Sequence, residues 1–427
     1  MKRIMLLVWA LWAIIPTGNA QVYVEKQTRH RFAQLNLGLG HQFSIGGQTR
    51  YLNTDGGLTP LDFNSFHSPR LLIGGTHFWG HADFYIAIPL VNPDFTSANQ
   101  EVTALTGVET VFKYYPWRIQ HQRIAPYLGL SLAPFYYEQK NGNLDFGNGP
   151  ELNRTTLPLL AGLTYNYNNH LVELGLMWNY NNDHTYYIAR EVPVEVELPP
   201  IYFNISYRYM IETTLSAERG WESGRTKEVT QKMEAAKRLN AFYFGGGLSS
   251  AFWIKESNYN TNTRPYLERL STSIMPDFTI GYYLHKPDMN IALSYRGYGS
   301  STNGYGAVQQ FKRRSLVLEA TKVLFDYHGF VPFLGPAISY ERLSFEESFE
   351  GQRTLDIVDN KWAYGLTFGW DIRPNRLQSW ILRTNLRWFP DLQLAVADGQ
   401  TVSFNTIEFN FIQMIIYPGR MFPRKKK

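Results

Sequence analysis

The sequence predicts an all-β fold: an antiparallel barrel architecture of about sixteen strands, written as two repeats of eight. Three observations predict it. Apolar and polar residues alternate with period two along much of the 427-residue chain, the connections between these segments are alternately short and long, and a set of short motifs recurs in order in the second half.

The alternation is plain in RFAQLNLGLGHQF, residues 31–43. Ala33, Leu35, Leu37 and Leu39 share one face, and Gln34, Asn36, Gly38, Gly40 and Gln42 the other, as in a half-buried strand. IYFNISYRYM (201–210) and MNIALSYRGY (289–298) repeat the pattern. Runs of about ten residues suit a tilted membrane crossing. Short connections are expected at 79–83, 115–123, 167–170, 284–288, 326–329 and 373–376, and long polar ones at 44–68, 139–155, 181–200, 254–272 and 343–361. Rings cluster where strands meet turns, in FKYYPW (112–117), WNY (178–180), FGW (368–370) and RWF (387–389), as interfacial girdles would.

Five motifs reappear in order. LGLGHQF (37–43) matches GGLSSAF (246–252), APYLGLSL (125–132) matches VPFLGPAI (331–338), and GLTYNY (162–167) matches GLTFGW (365–370). VELGLMW (172–178) matches LRTNLRW (382–388), and IYFN (201–204) matches IEFN (407–410), at offsets between 203 and 210 residues. The pattern reads as a tandem duplication. The expected organisation is a signal peptide at 1–20, a first repeat at 21–211, a linker at 212–240 with a short helix at 227–239, and a second repeat at 241–427. In the linker Val229, Met233 and Ala236 line one side, and Glu228–Lys232 and Glu234–Arg238 are spaced as i,i+4 pairs. A solvated linker is the expectation; a plug or docking helix is the alternative.

Composition agrees. Charged residues are 18% and aromatic residues 15%, few charges and many rings for a water-exposed surface. Lys2 and Arg3 precede the apolar run 4–15, and Gly18 and Ala20 supply the small residues of a cleavage site, so export is expected with Gln21 as the mature start. There is no cysteine, hence no disulfide framework. After residue 20 no apolar run approaches the roughly 18 residues of a membrane helix. The net charge of +5 draws on the tail Pro423–Lys427 and does not argue for nucleic acid.

Together the leader, the alternating strands, the aromatic ends and the short/long connections resemble bacterial outer-membrane β-barrels of the small eight-stranded class, present twice. The resemblance covers nearly all of the mature chain. It implies an outer-membrane location, with membrane lipid and the barrel-assembly machinery as partners. Phe422, followed by PRKKK, would be the terminal aromatic that such barrels carry.

Barrel faces then sort the charges. With apolar faces toward lipid, Glu109, Lys113, Glu173 and Arg208 point inward in the first repeat, and Arg296, Glu319, Arg383, Arg387 and Glu408 in the second. Buried charges need partners, so ion pairs are expected inside. Inward Gly38, Gly40, Ala87, Gly129, Ser131, Gly162, Gly175, Gly245 and Gly247 suit narrow barrels, which with the linker favours two barrels of eight over one ring of sixteen. The first functional reading is a non-enzymatic barrel protein with filled interiors and a structural or surface-binding role. The alternatives are a porin-like channel and an outer-rim lipid hydrolase or protease.

No cofactor or metal site is expected. G-x-S-x-G and the P-loop pattern are absent. His77 and His81 flank a turn rather than share a helix face, and His121, His170, His285 and His328 also fall in turns. The stretch 141–152 has Leu152 where a calcium loop needs a bidentate Glu. His41, His67 and His184 could reach the outer rim, the place for a catalytic histidine if there is one.

Overall fold

The computed structural model describes residues 33–52, 56–62, 67–91, 94–97, 100–141, 149–212, 224–267, 275–327, 329–373, 377–396 and 399–421. The signal-peptide reading, Phe422, the basic tail, His328 and most of the calcium-like stretch lie outside these residues.

Sixteen long antiparallel strands form two separate rings. The first comprises β1 (Ala33–Ser44), β2 (His67–His77), β3 (Ala82–Pro89), β4 (Glu109–Tyr114), β5 (Ile124–Asn141), β6 (Leu159–Tyr167), β7 (His170–Trp178) and β8 (Ile201–Glu212). Each pairs with the next, and β8 pairs with β1 from Gln34↔Glu212 to Ser44↔Tyr202, which closes the ring. The second comprises β9 (Ala241–Trp253), β10 (Met275–Leu284), β11 (Met289–Gly304), β12 (Ala307–Val323), β13 (Phe330–Phe349), β14 (Gln352–Ile372), β15 (Trp380–Trp388) and β16 (Thr406–Ile416), and it too is a closed barrel. The alternative of one sixteen-stranded ring is thereby corrected: β8 returns to β1 instead of handing on to β9. Every pair of recurring motifs falls on equivalent strands; GLTYNY lies on β6 and GLTFGW on β14, the sixth strand of each ring.

The alternation places side chains as a barrel requires. Leu39, Leu163, Leu174, Phe242, Phe278 and Ile412 are exposed on the outer walls, while Gln34, Asn36, Thr164, Thr279 and Thr367 are buried inside. Exposed large apolar side chains, the apolar belt, recur on the outward faces of both rings, where a water-soluble monomer keeps its contiguous apolar patches small. Exposed Tyr165, Tyr167, Tyr207 and Tyr209 cluster at the short-turn end of the first barrel and Trp178 lies toward its other end, while Tyr340, Trp362 and Tyr364 are exposed on the long β13 and β14 of the second. No helix among the described residues is long and apolar enough to cross a membrane.

The long connections differ from expectation. Residues 343–361 form no loop: β13 and β14 run 20 and 21 residues and meet at the turn Glu350–Gly351. That turn and Tyr305–Gly306 both carry positive φ at two successive residues (50° and 81°, 47° and 85°), the mirror-image geometry that matches strand twist and suits glycine second. The strands outrun the roughly ten residues of a crossing because they enclose a second core above the belt: Phe311, Leu343, Phe345, Phe389, Leu392 and Phe404 are members. The hairpin 393–395/401–403 caps the same core. In the first barrel, 44–68 and 181–200 contain strands 48–52, 58–62, 183–189 and 192–197, which pair into a four-stranded sheet. Period-two patterning in them is masked by turn residues and short length. Within 254–272 a short helix, Asn258–Thr263, is present.

The linker helix α1 spans Gly224–Ala235, three residues earlier than expected at its start, and closes in turn bonds Lys237 N–Glu234 O and Arg238 N–Met233 O. Lys232 and Glu228 pair as i,i+4. Glu234 Oε1 lies 3.6 Å from Nε2 of His285 in the β10–β11 turn, so the helix sits against the second barrel at the short-turn end.

Gly335 on β13 shows how tightly one wall is built. A Cβ there would meet the carbonyl oxygen of Ala320 and the Cα of Thr321 on β12. Both are backbone atoms and cannot swing away. Gly335→Val is expected to cost the second barrel about 1–3 kcal/mol or more through overpacking. A lowered urea midpoint of the compact, unboiled gel band would show it; an unchanged midpoint would refute the close-approach reading.

Candidate functional site

Each barrel interior is occupied by a charge network that joins adjacent strands and also bridges strands on opposite sides of the lumen. In the first barrel Arg208 on β8 reaches Asp83 on β3 with both terminal nitrogens, Nη1–Oδ1 2.9 Å and Nη2–Oδ2 2.6 Å. Its Nη2 also donates to Glu173 Oε2 on β7 at 3.1 Å. Lys113 on β4 donates to the other Glu173 oxygen, and Tyr127 OH donates to that oxygen at 3.1 Å. The Tyr85 ring lies between the two cations, 4.6 Å from Lys113 Nζ and 4.5 Å from the Arg208 guanidinium carbon. Arg70 and Glu109 form a further pair at 2.8 Å, nearer the long-connection end.

The second barrel holds three layers. Nearest the short turns, Arg383 grips Asp371 with Nε at 2.7 Å and Nη2 at 2.9 Å. In the middle, Arg387 on β15 meets Glu319 on β12, Asp277 on β10 at 2.7 Å and Ser294 Oγ at 3.0 Å. Asn410 donates to Asp277 at 2.8 Å. Above, Arg296 pairs with Glu408, Arg313 Nη1 lies 2.7 Å from Glu408 Oε1, and Arg313 binds Glu341 bidentately at 2.8 and 2.7 Å. The bidentate Arg–carboxylate fork is the strongest geometry such a pair can take.

All nine sequence-derived charges are therefore buried in a lumen, each beside an opposite charge: Glu109, Lys113, Glu173 and Arg208 in the first, Arg296, Glu319, Arg383, Arg387 and Glu408 in the second. The pairs join across barrels in a common pattern. Lys113–Glu173 links β4 to β7, and Glu319–Arg387 links β12 to β15, the same two strand positions with the signs exchanged. Six partners were missed: Arg70, Asp83, Asp277, Arg313, Glu341 and Asp371. The signal was available. Asp83, Tyr85 and Ala87 alternate like any inward face, but Asp83 falls in the expected turn 79–83, and Asp371 closes a strand that runs beyond its apolar stretch.

The outer walls meet along an aromatic seam. Phe78 packs edge-on to Phe330 at 5.4 Å between ring centroids, Phe84 stacks on Trp370 at 6.5 Å, and Phe112 contacts Phe409 at 6.1 Å. Phe409 lies between inward Glu408 and Asn410, so it points outward, yet it is only 3% exposed because the first barrel covers it. Above the belt two caps, the four-stranded sheet of the first barrel and the extended strands of the second, are hydrogen-bonded together. Arg190 of the first donates to the Tyr305 carbonyl of the second at 2.7 and 3.1 Å, and Tyr305 OH donates to Tyr187 O at 3.1 Å. Inside the first cap, burial pushes the Tyr137 hydroxyl up to about 12.

Of the rim histidines, His41 Nε2 lies 3.4 Å from His67 Nδ1, and both rings pack on Phe43. His184 stands on the strand 183–189 of the first cap, away from that pair in sequence and sheet. Among the described residues there is no group of three or more His, Asp or Glu placed to hold a metal.

Two closed antiparallel barrels with apolar outer walls, aromatic ends and charged, packed lumens define an outer-membrane β-barrel protein, built as two eight-stranded barrels in one chain. No family model matches the sequence, and no curated protein sequence matches it. Among solved structures the chain is similar to Neisserial surface protein A, at 14% identity over 42% of this chain and 97% of that one, with a TM-score of 0.28. It is similar to Ail, the attachment invasion locus protein of Yersinia pestis, at 11% identity over 42% and 96%, TM-score 0.26. It is also similar to an outer membrane channel from Pseudomonas putida F1, at 9% identity over 90% and 95%, TM-score 0.22. These likenesses concern the fold alone.

Proposed function

We propose that this protein is a non-conducting, non-enzymatic outer-membrane protein whose fused caps form one structural or binding surface at the cell exterior. The observation that carries the reading is the burial of the charges inside both barrels: Arg208 and Asp83 are 0% exposed, and Arg387 is 1% exposed. Side chains lining a water-filled pore would be wetted. These are instead locked to one another across the lumen, and over the second barrel an apolar core sits on top of the ion pairs. The caps, joined through Arg190 and Tyr305, give a rigid platform suited to a macromolecular partner or to a role in the envelope itself.

The test is conductance. The full mature chain, refolded and added to planar bilayers, is expected to give no stepwise current at physiological salt. Reproducible unitary currents from heat-modifiable protein would replace this reading with the channel.

A leader at 1–20 and an origin by duplication belong to the same proposal. Equivalent strand positions for all five recurring motifs, and the sign-exchanged pairs on β4/β7 and β12/β15, support the duplication. Mass measurement of protein purified from membranes is expected to place the mature N-terminus at Gln21; an intact Met1 would rule out the leader.

A further inference from the structure

Beside the aromatic seam the two barrels do not touch, and an apolar groove of about 950 Å³ remains between them. Leu128, Leu130 and Leu132 of β5 line one side, and Phe252, Ile407 and Phe409 of the second barrel the other. One end reaches the short-turn residues Tyr327 and Phe330, and the other reaches Arg154 and Trp253 at the cap level, so the groove crosses the apolar belt. A volume of this size cannot stand empty in a bilayer. Water is no better, because a cavity with almost wholly apolar walls offers too few partners and stays dry. Acyl chain is the material that fills it.

The groove does not end on apolar surface. Arg154 and Trp253 also belong to a second, smaller cleft of about 230 Å³ that continues from it. That cleft holds Lys255, Ser257, Asn260 and Thr185, with Glu256 as its one acidic residue, so two cations face one anion. An apolar slot opening into a basic, hydroxyl-lined pocket at the edge of the belt has the shape and charge of an amphiphile.

We propose that the barrel–barrel groove is a specific binding site for an anionic membrane lipid. One acyl chain lies along Leu128, Leu130 and Leu132 against Phe409, and the anionic headgroup sits at Arg154 and Lys255. The bound lipid completes the contact between the barrels on the side where protein atoms leave a gap. Lipid bound to the outer walls generally is exchangeable and selected by no cation; this molecule is held on two sides by protein and read by charge.

The full chain tests it. Refolded into mixed micelles with equal amounts of dipalmitoyl phosphatidylglycerol and dipalmitoyl phosphatidylcholine, it is analysed by native mass spectrometry. The expected result is one retained phosphatidylglycerol per chain, in clear preference to phosphatidylcholine. Reversing both cations, Arg154→Glu with Lys255→Glu, is expected to reduce that retention roughly tenfold or more, the worth of a charge-assisted contact. Leu130→Trp, which fills the slot and leaves both cations in place, is expected to reduce retention as well. Heat-modifiable migration of each variant checks folding, and Arg154→Gln with Lys255→Gln stands in if the reversed chain fails to fold. Retention of neither lipid, equal retention of both, or undiminished phosphatidylglycerol on the charge-altered chain overturns the proposal. Conductance of the same preparation reads the lumens separately, so the two proposals fail independently.

Discussion

Replacing Arg208 with alanine is expected to cost the first barrel about 3–5 kcal/mol, the largest single-residue effect in that half of the molecule. The side chain neutralises Asp83 and Glu173 at once, with contacts of 2.6, 2.9 and 3.1 Å. Without it, Lys113 alone faces two buried carboxylates, and one is left uncompensated in a site closed to water. Arg208→Lys is expected to recover only part of the loss, because an ammonium cannot form the fork that spans both Asp83 oxygens. By contrast, replacing Asp83, Lys113, Glu173 and Arg208 together with apolar residues of similar volume is expected to be far milder, since the network offsets its own desolvation cost instead of adding much net stability. Urea unfolding of the refolded chain, followed by the unboiled gel band, separates these cases. Equal midpoints for wild type and Arg208→Ala would show that the lumen is wet enough to replace the guanidinium.

Residues 21–211, expressed alone and refolded in detergent, are expected to give a compact, heat-modifiable barrel. The β1–β8 ladder keeps the pairs from Leu35↔Ile211 to Ser44↔Tyr202 in this fragment and closes the ring without help from the second half. Every ion pair of the first lumen also lies within those residues. What the isolated half loses is the seam: Phe78, Phe84 and Phe112 would face detergent in place of Phe330, Trp370 and Phe409. Detergent tails can cover those rings, so closure survives. A half that migrates identically boiled and unboiled would mean that the seam, rather than the ladder, drives ring formation.

Much of this architecture is legible along the chain because period-two parity is a local property. Lys113 and Glu173 can be assigned inward from their own neighbours, Thr110–Tyr114 and Leu171–Leu174, with no knowledge of the fold. The same parity would have found Arg313, six residues before Glu319 on the same face. It fails where the apolar signal changes meaning. Residues 343–361 look like a polar connection because above the belt the outward face no longer meets lipid, so Arg342, Glu346 and Asp356 replace leucines there. The strand continues even though its membrane signature has stopped. The linker helix was placed within a few residues because its i,i+4 charges are local too, whereas its contact with His285 was not visible.

Which residues share a face was thus set by the order of amino acids, since alternation in an extended chain obliges every second side chain to point the same way. Which faces meet was not. Closure into rings of eight depends on β8 pairing with β1, about 170 residues away, and the Lys113–Glu173 and Arg387–Glu319 pairs exist only because closure brings strands four and seven across one narrow lumen. The groove beside Phe409 comes later still. It depends on how two finished cylinders, each round and each apolar outside, touch along one line and leave a gap beside it.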